Sequence, residues 1–121
     1  MPSPLAFNAI SNTFARTVTA TSQPLVPVIV PTPSDAQQET MGLVDYRITV
    51  VGTQPVWIAH SHRSAAPPTA VIPPDGTNAR GVMIEGPMTY TIQEPYGTQF
   101  SVIAPAVGST VCMTIGSGVA L

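Results

Sequence analysis

The sequence contains no lysine, one cysteine and little charge of either sign over its 121 residues. Charged residues make up 8% of it, against roughly a quarter in an ordinary soluble domain. The four basic side chains, Arg16, Arg47, Arg63 and Arg80, are scattered, and the formal net charge is −2. Binding a phosphate backbone depends on clustered positive charge, so direct nucleic-acid binding is not expected. The lack of lysine also removes the commonest guard against stray pairing at sheet edges. Such edges are then expected to be covered by partners, blunted by proline or closed in a barrel-like fold.

The lone Cys112 excludes an intrachain disulfide. Its apolar surroundings, Thr110-Val111-Cys112-Met113-Thr114-Ile115, read as buried packing. Long hydrophobic runs are missing too. The stretch from Pro24 to Val30 is too short and too broken by proline to cross a bilayer. Met1-Pro2-Ser3-Pro4 has neither the basic region nor the apolar core of a signal peptide. The expectation is a protein made and kept in a reducing cytoplasm, or assembled there into a particle, with no membrane partner.

What is present is 44% hydrophobic residues, 14 prolines and nine glycines, with much Thr, Ser and Gln. A free monomer usually stays soluble through surface charge. A surface this neutral points to coverage by partners.

Two textures divide the chain, and the sequence predicts an extended N-terminal arm and linker over 1–42 followed by a β-domain over 43–121. The first part holds Pro2, Pro4, Pro24, Pro27, Pro31 and Pro33, which remove donors and favour extended geometry. Within it Asn12 to Arg16 reads as one helical turn or an irregular loop, and Thr17 to Thr21 as an edge strand. Leu25-Val26-Pro27-Val28-Ile29-Val30 is apolar area that would be costly to expose. It reads as an arm lying on its own domain or on a neighbour. Interface residues are therefore placed at Phe7, Ile10, Phe14, Leu25, Val28, Ile29 and Val30. Arg16 and Arg63 would supply polar contacts, and Tyr96 is a surface aromatic at a turn.

From Leu43 the pattern is β. Val44, Tyr46, Ile48 and Val50 alternate with Asp45, Arg47, Thr49 and Val51 at the period of a half-buried strand. Further strand-like runs follow at Pro55 to His60, Val82 to Ile84, Met88 to Ile92, Gln99 to Ala104 and Thr110 to Ile115. Turns fall between them, and Gly97 supplies a positive φ after Glu94-Pro95-Tyr96. Short strands separated by turns predict an all-β fold, a small antiparallel β-sandwich or jelly-roll-like domain. Its core is expected from Tyr46, Ile48, Val50, Val56, Trp57, Ile58, Tyr90, Ile92, Phe100, Val102, Val111, Met113 and Ile115. Ser61 to Arg80 is long for a connection, and reads as a binding element or as a stiff connector crossing one end of the sandwich.

Catalytic patterns are weak. His60 and His62 would share one face of an extended strand, but a metal needs further ligands, and no metal site is expected. Ser61, His60 and Asp45 lack the spacing of a triad. Gly116-Ser117-Gly118 follows an apolar strand as a nucleophile elbow would, yet no helical pattern accompanies it. Gly76 to Gly81 lacks the Lys-Ser/Thr of a phosphate loop. One tryptophan, three tyrosines and three phenylalanines leave few aromatics for a sugar-stacking platform.

Several stretches, taken in order, carry a resemblance: Tyr46-Arg47-Ile48-Thr49-Val50, Val56-Trp57-Ile58-Ala59-His60, Ser64-Ala65-Ala66, Met83 to Ile92, Phe100 to Ala104 and Val111 to Gly118. Residues 43 to 121 in this way resemble a family of small tailed-bacteriophage virion structural proteins. Members place a proline-glycine pair before one strand, where this chain has Gly86-Pro87 in the reverse order. The resemblance implies a non-enzymatic capsid cement (decoration) protein on the outer surface of the head, bridging major capsid subunits. Its implied partners are the major capsid protein and copies of itself, as a dimer or trimer. No catalytic residue, cofactor or small-molecule ligand is implied, and the implied location is the virion, assembled in the host cytoplasm. A tail, neck or head-fibre component is the alternative, and a soluble carbohydrate- or peptide-binding β module is a third class.

Overall fold

A computed structural model describes residues 9, 11–27, 42–61 and 66–116. These residues form eight strands and no helix: β1 (Phe14–Val18), β2 (Gln23–Leu25), β3 (Leu43–Gly52), β4 (Val56–Ser61), β5 (Val82–Ile84), β6 (Met88–Pro95), β7 (Gln99–Ile103) and β8 (Ser109–Gly116). Two four-stranded antiparallel sheets result, ordered β1-β8-β3-β6 and β2-β7-β4-β5. The pairing is nested, first strand with last and inward from there: β1 with β8, β2 with β7, β3 with β6 and β4 with β5. The pairs β3·β8 and β4·β7 then join these ribbons into sheets.

The period-two pattern decides which face of each strand enters the core. On β3, Val44, Tyr46, Ile48 and Val50 are buried. On β8 the same holds for Val111, Met113 and Ile115. Val56 and Ile58 of β4, Phe100 and Val102 of β7, and Ile84 of β5 meet them from the second sheet. The rings of Tyr46 and Phe100 lie 4.8 Å apart across the gap. Tyr90 and Ile92 are half-buried against this cluster, because β6 is the last strand of its sheet.

Trp57 departs from the expected core. Its neighbours Val56 and Ile58 point inward, so Trp57 points out of the second sheet and is only half-buried. Cys112 departs in the same way, half-buried on the outer face of β8 opposite Ala15 and Thr49.

The expected boundary at residue 42 does not divide the described chain. β1 and β2 are integral edge strands, one in each sheet. Val18 is 0% and Leu25 4% exposed within the common core. Asn12-Thr13 is neither helical nor paired, and Phe14 opens the strand. Backbone bonding reaches further back, since Ala9 bridges Gly116 and the Ser11 amide donates to the Ile115 carbonyl at 3.2 Å.

The ends of the sandwich differ. At one end three short connections lock together. The Thr53 amide donates to Gly108 at 3.0 Å and the Ala104 amide to Thr19 at 2.9 Å. The Ser109 hydroxyl both donates to the Gln54 carbonyl, at 2.6 Å, and accepts from the Gln54 amide, at 2.9 Å. At the other, open end lies the tight Tyr96-Gly97 turn, with Gly97 at φ +93°.

The long connection after Ser61 crosses a face of the sandwich rather than an end. The outward-pointing pair Ala59 and Ser101 is buried, as is Ala70 of the connection. The Ala70 amide donates to the Ser22 hydroxyl at 2.8 Å. Farther along, Gly81, at φ +143°, lies on the Trp57 indole. A methyl group there would stand 2.6 Å from the indole nitrogen.

Candidate interaction surfaces

Three features of the described surface stand out: an apolar cleft, a polar cleft beside it and an apolar edge. The apolar cleft, about 260 Å³, opens between the sheets at the open end. Leu25, Tyr46, Phe100, Met113 and Ile115 form its floor, and Pro24, Pro27, Pro67 and Tyr96 its rim. The Tyr46 hydroxyl at its floor is already occupied. It donates to the Pro95 carbonyl at 3.1 Å and accepts from the Gly97 amide at 3.0 Å. Burial pushes its pKa up from 10.0 to about 12, against the opposing pull of the Gly97 hydrogen bond. It stays protonated at neutral pH and ties the turn to the core.

The polar cleft, about 190 Å³, is lined by His60, Ser61, Arg80, Glu94, Pro95 and Thr98. Thr98 lines both clefts. β4 delivers His60, whose ring rests 5.8 Å from Phe100, and β6 delivers Glu94. The hydroxyls of Ser61 and Thr98 are turned to backbone carbonyls, those of Ala66 and Pro95. A cation, a carboxylate and an imidazole thus converge on one hollow of a surface otherwise poor in charge. His62 lies outside the described residues. The second sheet also holds a buried donor without a partner, the Trp57 indole nitrogen.

The apolar edge follows β5 and the start of β6. Val82 is 38%, Met83 43% and Met88 50% exposed. Met83 pairs with the outward Trp57, and Met88 lies opposite the buried Val50.

The interface residues expected from the sequence are placed differently. Leu25 belongs to the core, and Phe14 and Tyr96 are half-buried against it. Arg16 folds its guanidinium 5.1 Å from the Phe14 ring, and its Nε is buried without a hydrogen-bond partner. Phe7, Ile10, Val28, Ile29, Val30 and Arg63 lie outside the described residues. The sequence reading missed the edge formed by Val82, Met83 and Met88. Its available signal was an alternating strand without a single basic residue, but membership of a sheet edge is not encoded in alternation.

In comparisons with known proteins, no family model, no curated protein and no solved structure matches the chain.

Proposed function

We propose that this chain is a non-enzymatic virion structural protein, a capsid cement protein that sits on the outer surface of a head and bridges major capsid subunits. The observation that carries the reading is the nested pairing of eight strands in two sheets. We read it as a jelly roll, an architecture shared by viral capsid and lectin domains. The near-absence of charge and the apolar edge at β5 and β6 support burial against other chains. A fold alone does not fix a function, so the surface carries the rest of the argument. Many weak contacts, repeated at every copy on a shell, add through avidity.

The test is the copy number and position of the protein in purified particles of the virus that encodes it, by quantitative mass spectrometry and electron microscopy. Hundreds of copies spread over the head are expected. A dozen or so at one vertex would replace the reading with a neck, tail or fibre role. Absence from particles would remove it.

One observation favours a second reading, a soluble binding module. The polar cleft offers donors and acceptors together, from Arg80, His60 and Glu94, as a hydroxyl-rich or peptide ligand requires. Chemical-shift changes confined to these residues on titration with sugars would favour it.

A further inference from the structure

We propose that two copies of this chain pair through their β6 strands, antiparallel about a two-fold axis at Thr91, joining the β1-β8-β3-β6 sheets into one eight-stranded sheet.

The four edge strands are not equivalent. β2 and β5 have three residues each, and β2 carries Pro24, which has no amide to donate. β1 has five residues and holds Arg16. β6 has eight residues, Met88–Pro95, and is bonded on one side to β3 along its whole length. On the other side it is the terminal member of its sheet. Alternate residues of such a strand turn both backbone groups outward, which is a template for another strand. The usual guards are missing within it. No lysine or arginine is present, and the single charge, Glu94, and the single proline, Pro95, lie at its far end.

Symmetry then selects the register. A two-fold axis normal to the sheet keeps each residue on its own face, so the centre must fall on a residue and not between two. Centring on Ile92 would draw Pro95 into the ladder opposite Thr89. Centring on Thr91 leaves Pro95 outside and pairs Met88 to Glu94 of one copy with the same span of the other. Thr91 then meets Thr91, and Thr89 meets Gln93, an uncharged polar ladder on the outer face. Ile92 meets Tyr90 on the inner face. Glu94 meets Met88, so no like charges are opposed. The exposed Val82 and Met83 belong to the edge of the second sheet on the same side of the sandwich, and the pairing brings two copies of that apolar edge together.

This inference does not rest on the virion reading, because it concerns the free chain. It is tested on the full chain carrying Cys112→Ser, by light scattering coupled to size exclusion and by oxidative cross-linking. The expected mass is that of a dimer. Thr91→Cys is expected to give a covalent dimer on oxidation, since residues facing at the axis lie within disulfide reach. Thr89→Cys is expected to give none, because its two copies would be roughly 13 Å apart along the strands. Thr91→Lys, on an exposed position, is expected to yield a folded monomer by circular dichroism. A monomeric parent chain would overturn the proposal. So would cross-linking of Thr89→Cys in place of Thr91→Cys, or a dimer that survives Thr91→Lys.

Discussion

The Tyr46 hydroxyl, on β3 in the first sheet, accepts the amide proton of Gly97 at 3.0 Å. Through it the core holds the β6–β7 turn, and with it the wall shared by the two clefts. The same oxygen donates to the Pro95 carbonyl, so both ends of the turn hang on one phenol.

Replacing Tyr46 by Phe keeps the ring and removes both bonds. The Gly97 amide loses its partner, while the Pro95 carbonyl keeps the amide and hydroxyl of Thr98, and the change is expected to cost about 1–3 kcal/mol in urea unfolding. The lost hydroxyl also exposes a pH effect. An unfolded tyrosine ionises near 10.0, whereas Tyr46 in the fold holds its proton to about 12. Between these values the unfolded chain has shed a proton that the folded chain keeps, so stability falls as pH rises. The fall should approach about 2–3 kcal/mol for this group by pH 12, with Tyr96, also raised by burial, adding in the same direction. Tyr46→Phe should flatten the decline from pH 10 upward. An unchanged slope would refute the assignment.

Ser109→Ala tests the closed end. Its hydroxyl bonds both backbone groups of Gln54. A loss of about 1–3 kcal/mol is expected in denaturant titration. A change below a few tenths would mean that these groups find water without cost.

Gly81→Ala places a methyl group 2.5 Å from the Ile58 carbonyl oxygen and 2.6 Å from the Trp57 indole nitrogen, at φ +143°. Strain and overpacking together are expected to cost about 1–3 kcal/mol. Trp57 is the only tryptophan, so its fluorescence should shift and its melting midpoint fall. Preserved fluorescence and stability would place the connection away from the indole.

Leu25→Ala and Val26→Ala separate a core strand from a free arm. Leu25 is 4% exposed and Val26 50%. The first is expected to cost about 2–5 kcal/mol, the second little. Equal small effects would detach β2 from the sandwich.

The strands after Leu43 were legible because alternation is a local property: Val44 to Val50 repeats every second residue over a long enough span to fix both element and face. The turn at Tyr96-Gly97 was legible from glycine chemistry. Short segments were not. Trp57 sits one position out of phase with Val56 and Ile58, and only the phase of the whole strand shows that it points outward. Gln23-Pro24-Leu25 has no period to read, and its pairing with β7 comes from residues nearly eighty positions away. The polar cleft gathers His60, Arg80, Glu94 and Thr98 from separate connections and strand ends, and no spacing in the sequence foretells that.

The sequence by itself determined an all-β chain, poor in charge, whose inward faces are set by a period of two, because that pattern follows from backbone geometry alone. Tertiary structure decided what the pattern leaves open: that residues 14–25 close both sheets, that the long connection covers the second sheet, and that among the described residues β6 ends its sheet. Those outcomes depend on pairing between distant segments. There the free energy comes from burying two faces together and not from the preference of either strand.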